Sequence, residues 1–201
     1  MQFGTTERNA ICDAFETSVG TAPKMRFLTG SMPATPATAE TGTLISQLTL
    51  PSDWLNAASG GAKTKNGTWS GTAAATGVIG YCRIKDSAGT TVRWQGTVTQ
   101  AITLTTSAST AANGNVLTFT STTGVSATQA VRGTGIETGT TVLAVTSTTV
   151  TLSLASLAGV ASGASITFGD TSGDMTINTT TVSAIGQAIT VDTWTLTAGG
   201  A

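Results

Sequence analysis

"VIGYCRIKDSAGTTVRWQGTV", residues 78–98, decides the fold. Tyr81, Arg83 and Lys85 alternate with Cys82 and Ile84, the period of two that gives a β-strand its two faces. "DSAG" at 86–89 is a turn, opened by aspartate and closed by glycine, and "TTVRWQGTV" returns as the second strand. The pattern predicts a hairpin with one face buried and one turned outward. Tyr81 and Trp94 are then core residues or exposed contacts.

Working outward, "KMRFLTG" (24–30) alternates Met25 and Phe27 against Lys24 and Arg26, and "TLISQLTL" (43–50) is a strand closed by Pro51. Between them "SMPATPATAETG" (31–42) holds two prolines among small residues and is a loop. "PSDWLNAASGG" (51–61) suits a short helical turn or an irregular loop anchored by Trp54 and Leu55, and Asn66-Gly67 marks a turn. Upstream, residues 6–19 predict a helix. Thr6 is its N-cap, Glu7 lies in its first turn and Gly20 stops it, with Ala10, Ile11, Ala14, Phe15 and Val19 as its apolar face.

Downstream the character changes. Between Trp94 and Gly169 the only charged residues are Arg132 and Glu137. "VRGTGIETGTTVLAVTSTTVTL" (131–152) reads as a strand, a turn and two more strands. Charge returns at Asp170, and "ITVDTWTLT" (189–197) alternates as the earlier strands do. The chain is therefore expected to be mainly β, with an outer domain of 1–100 and 170–201 interrupted by a small all-β domain, 101–169.

Composition narrows the chemistry. Charged residues are 9% of the 201, against about 25% in an average soluble protein. Threonine fills the gap at about a fifth of the chain; it favours strands and presents a hydroxyl to water without charge. Mean hydropathy is +0.20 and net charge −1, which is not the profile of a disordered chain. Nine Lys and Arg scattered along the sequence make no basic stripe, so nucleic acid is not an expected partner. No run of apolar residues is long enough for a membrane helix, and the N-terminus lacks the pattern of a secretory signal, so synthesis in the cytosol is expected.

Histidine is absent, which removes the commonest general base and metal ligand and makes an enzyme the least expected class. Asp53 with Asp86, or Asp170 with Asp174, are the carboxylate pairs to weigh for acid–base work, and 170–174 for calcium, but no repeated spacing marks either. "GTGIETG" (133–139) lacks the Lys-Ser/Thr end and following helix of a phosphate loop, and reads better as hairpin turns with Ile136 plugging a core. No cofactor or metal is expected. Cys12 and Cys82 are either buried free thiols or a disulfide.

"TLPSDWLNAASGGAKTKNGTWSG", "GYCRIKDSAGTTVRWQGTV", "GDMTINTTTV" and "QAITVDTWTLTAGGA" together resemble a family of small tailed-bacteriophage virion proteins. The likeness covers most of 1–100 and 170–201. The middle segment resembles an Ig-like β module of phage and bacterial surface proteins, which typical family members lack at this position. The resemblance implies a jelly-roll-like β-sandwich with a short N-terminal helix. It also implies a capsid decoration or cement protein on the outer surface of the virion, made in the host cytoplasm. Its partners would be the major capsid protein and further copies of itself, as a dimer or trimer, with no nucleic acid and no membrane. A tail-fibre, collar or head-fibre protein whose insert mediates adhesion is the alternative. Phe15, Trp54, Trp69 and Trp94 are the candidate interface anchors, each also a core candidate.

Overall fold

The computed structural model describes residues 2–156 and 158–199. The protein is mainly β, 43% strand and 8% helix, and its sheet curls as in a β-sandwich. The chain divides into a base, Met1–Thr99 with Gly173–Ala201, and an insert, Gln100–Ser172.

The base opens with α1 (Thr5–Val19) and continues through β1 (Lys24–Thr29), β2 (Leu44–Thr49), β3 (Ala62–Thr64), β4 (Ser70–Thr72) and β5 (Gly77–Lys85) to β6 (Val92–Thr105), whose last residues belong to the insert. The insert carries β7 (Val116–Thr118), β8 (Val131–Gly133), β9 (Val142–Val145), β10 (Thr149–Leu152) and β11 (Ser165–Gly169). The base resumes with β12 (Met175–Ile177), β13 (Thr181–Val182) and β14 (Ala188–Thr197). Its strands run in the order β2-β1-β5-β6-β12-β14-β3, with β13 on β5 and β4 on β14.

The inner face of the base closes on tryptophan. Trp54, Trp69 and Trp194 are mutually 5.8 Å apart between ring centroids, and Trp94 meets Trp194 edge-on at 5.6 Å. Met25, Phe27, Ile45, Cys82, Ile84 and Val191 pack around them. Such aromatic pairs add about 0.5–1.5 kcal/mol each beyond the area they bury.

The outward face expected of the 78–98 hairpin is also covered. Tyr81 and Arg83 are as buried as Cys82 and Ile84, because the loop at 31–42 lies over them. The turn follows the expected chemistry: the Asp86 carboxylate accepts from the Thr90 N–H at 2.9 Å, and Gly89 takes φ 73°. Bonds from the Thr90 and Thr91 N–H groups and hydroxyls hold the Asp86 carboxyl below the usual range, the Thr90 N–H contributing most. The stabilisation is present above the ordinary aspartate pKa and fades as pH falls through the lowered one. The Thr90 amide resonance is expected to broaden or shift only below about pH 4, with the rest of β5 unaffected.

The helix differs in detail from its sequence pattern. Gly4, not Thr6, is the N-cap, and it supplies no side-chain cap bond. The packed stripe is Arg8, Cys12, Phe15 and Val19, while Ile11 is 45% exposed and Ala10 and Ala14 face solvent. The reason is polar docking. The Asn9 side chain accepts from the Gly61 N–H at 2.8 Å, Cys12 donates to the Gly61 carbonyl, and Lys63 Nζ sits between Asp13 (2.6 Å) and Glu16. Gly60 and Gly61, at φ 62° and 81°, form the two-residue turn that presents these groups; a Cβ on Gly61 would also strike Arg8.

Both cysteines are free and fully buried. Burial pushes the Cys82 thiol far above its ordinary range, helped by the charge of Asp174 and opposed by a hydrogen bond with the Gly96 backbone. Neither thiol is expected to react with a disulfide reagent such as DTNB in the folded protein, and both react after denaturation; titration with and without urea checks this.

In the insert, β7, β10 and β9 form one sheet and the end of β6 pairs with β11, which pairs with β8. The 131–152 stretch is a strand, turns and two strands, as its pattern reads. Gly135 and Gly139 take φ 83° and 87°, and Ile136 packs on the core formed by Leu117, Phe119, Val150, Ile166 and Phe168. Buried hydroxyls replace charge: Thr106 donates to the Ala161 carbonyl at 2.7 Å, Thr140 to Glu137 at 2.6 Å, and Thr122 to Thr146. Each pairs a buried residue's hydroxyl with a loop carbonyl at no ionic desolvation cost.

The ends of each unit meet. In the base, Gly173 lies against the side chain of Thr99, whose hydroxyl donates to the Met175 carbonyl at 3.3 Å. In the insert, the Asp170 N–H donates to the Gln100 carbonyl at 2.9 Å.

Candidate functional site

The period of two places Lys24 and Arg26 on one face of β1 and Arg83 and Lys85 on one face of β5. The antiparallel register sets Lys24 opposite Lys85 and Arg26 opposite Arg83. Four of the nine Lys and Arg of the protein thus share one face of two neighbouring strands. The expectation of scattered charge is corrected here: strands distant in sequence pair, and the pairing collects the cations. Like charges directly opposite repel, so something must hold them.

The loop at 31–42 does much of that. Glu40 bridges Arg26 and Lys85, at 3.1 Å to each. Arg83 donates from one terminal nitrogen to the Thr38 carbonyl at 2.8 Å, and from the other to the Thr35 carbonyl at 3.3 Å and to Gln95 Oε1 at 2.8 Å. The Tyr81 hydroxyl donates to the Thr41 carbonyl at 2.7 Å and accepts from its N–H, and Gln95 Nε2 donates to the Pro33 carbonyl at 2.6 Å. Lys24 turns instead to the Thr49 hydroxyl on β2, at 2.8 Å.

At this strap lies an open cleft of about 690 Å³, lined by residues 35–40, by Arg83 and Lys85, and by Thr90, Thr91 and Val92. Arg83 is only 1% exposed, its bonded partners are all neutral, and its Nε has no partner among the described residues. A second cleft, of about 440 Å³, lies in the insert along 130–141 and includes Arg132 and Glu137.

The four candidate anchors fall elsewhere. Trp54 and Trp69 are 0% and 1% exposed, so the aromatic core leaves neither ring a face for a partner. Phe15 and Trp94 are half-buried against the same cluster. Among exposed apolar side chains the base instead offers Phe3, Ile11, Met32, Val78 and Ile185. The insert's two strand phenylalanines, Phe119 and Phe168, are core residues stacked edge-on at 5.6 Å.

The aspartates are engaged locally. Asp53 accepts from Asn66, Asp174 from the N–H and hydroxyl of Thr97, and Asp170 from the hydroxyl and N–H of Ser172, which hold its carboxyl below the usual range. Among the described residues no three His, Cys, Asp or Glu side chains group as metal ligands, and no helix is long and apolar enough to cross a membrane. Comparison with known family models, curated proteins and solved structures finds no match.

Proposed function

We propose that the protein is a structural component of a tailed-phage virion, a decoration or cement protein that stabilises the shell by non-covalent contact with the major capsid protein and with its own copies. One observation carries the reading: the ionic side chains that the base buries act as ties. Lys63 holds the helix to β3, while Arg83 and Glu40 hold the 31–42 strap. The result is a stiff, charge-poor β scaffold, suited to work through shape and area. The resemblance of the base segments to small phage virion proteins supplies the class. Phe3 and Ile11 near and on the helix, Met32 on the strap, and Val78 and Ile185, 39–72% exposed, are the apolar side chains that the base presents to a neighbour.

The direct test is incubation of the purified protein with expanded, undecorated capsids at micromolar concentration. Saturable uptake at stoichiometric copy number is expected, and no uptake overturns the proposal. The insert's cleft, holding Arg132 and Glu137, favours a second reading, adhesion from a tail fibre, collar or head fibre. Copy number separates the two: many copies over the shell for decoration, a few at a vertex or tail for adhesion.

A further inference from the structure

We propose that the cleft at the 31–42 strap receives a carboxylate-bearing segment of a partner protein, with Arg83 and Lys85 as its anion-binding residues. The base sets four cations on one face, and Glu40 is the only carboxylate seen in an ion pair with them among the described residues. Asp86, at the end of β5, already accepts from the Thr90 and Thr91 N–H groups. Positive charge therefore remains in excess at this face of a protein whose net charge is −1.

Arg83 makes the site specific. A guanidinium taken out of water without an anion bears a desolvation penalty that neutral carbonyls offset only in part. An entering carboxylate completes the pairing. Arg83, whose Nε is buried and lacks a partner among the described residues, and the ammonium of Lys85, 12% exposed and now shared with Glu40, are the two cationic groups that line the cleft. Burial also selects the partner. Arg83, 1% exposed, and Lys85, 12% exposed, present little cationic surface to a duplex backbone, whereas a single carboxylate on a flexible side chain can approach them. The volume, about 690 Å³, is that of a site for a short peptide segment rather than a single ion. The small walls at Pro36, Ala37 and Ala39 leave room for its backbone. The inference does not depend on the shell reading, since any protein neighbour with an acidic segment qualifies, and the two tests fail separately.

The experiment is an NMR titration of the full-length ¹⁵N-labelled protein with end-blocked hexaglutamate at low and high salt. Shifts are expected at the Arg83 Nε–H and at the Thr90 and Thr91 amides, weakening with salt. Lys85→Gln is expected to weaken binding about tenfold. Glu40→Gln, which removes the competing carboxylate, is expected to tighten it. These opposite directions keep the test decisive if one variant folds poorly. No shifts with hexaglutamate, binding unchanged in both variants, or a response to inorganic phosphate or a single-stranded oligonucleotide without one to hexaglutamate would each overturn the proposal.

Discussion

Trp194→Ala is expected to destabilise the base by about 3–5 kcal/mol, the range for removing a large buried aromatic. Trp194 touches Trp54, Trp69 and Trp94, so its loss opens a cavity that three rigid rings cannot close. A domain of this size has about 5–15 kcal/mol of stability in all, so the variant sits near the edge of folding. Trp194→Phe separates packing from polarity. The Trp194 Nε1 is buried without a partner among the described residues, whereas Trp54 Nε1 donates to the Gly20 carbonyl at 3.1 Å and Trp69 Nε1 to the Asn66 carbonyl at 2.9 Å. Trp194→Phe discards an unsatisfied donor; Trp54→Phe strands a carbonyl and loosens the helix C-terminus. Trp194→Phe should therefore cost less than Trp54→Phe. Urea unfolding followed by tryptophan near-ultraviolet circular dichroism measures this in the base alone, because all four tryptophans lie there. Equal costs would contradict the unpartnered Trp194 N–H.

The second large effect is asymmetric. Lys63 is 5% exposed, while Asp13 is 57% exposed and Glu16 25%. Removing both carboxylate charges, Asp13→Asn with Glu16→Gln, leaves a buried ammonium without an anion and is expected to cost about 3–5 kcal/mol. Lys63→Met removes the ammonium, keeps most of the volume and leaves two carboxylates able to reach water; about 1 kcal/mol is expected. The order of the two costs is the prediction, read from urea midpoints. Alkaline pH gives an independent check. Burial lowers the Lys63 pKa, but its bonds to Asp13 and Glu16 and their charges outweigh burial and raise it above 10.5. A raised lysine pKa contributes stability that is full below the ordinary value and is lost as pH climbs through the raised one. The helix should therefore undock at strongly alkaline pH in the parent protein, and Lys63→Met should lack that step.

Much of this architecture is legible in the sequence because it is local. The period of two in 78–98, the Asp86 turn, the glycine turns around Ile136 and the loop character of 31–42 are set by neighbouring residues, and each is present in the structure. What depends on distant partners was not legible. Arg83 looked outward because nothing near it in sequence says that residues 31–42 will cover it. Lys24 and Arg26, and likewise Arg83 and Lys85, are like-charge pairs at i, i+2, which does signal a shared face. That β1 would pair with β5, and so merge the two pairs, could not be read. The helix face was misread for a related reason: a hydrophobic count finds Ile11, but the surface that α1 meets is the polar edge at Gly61 and Lys63. The tryptophans were conspicuous as anchors because they are few, and their mutual contact explains where they went.

The contact between Thr99 and Gly173 has a further consequence. A chain that leaves and re-enters a scaffold at neighbouring positions places almost no geometric demand on what lies between. Bridging those positions by a tight turn would join β6 directly to β12 as an uninterrupted hairpin. The same junction would accept any foreign module whose own termini lie side by side, as Gln100 and Asp170 do here. The base is in effect a socket, and its cargo can be exchanged without redesigning the part that holds it.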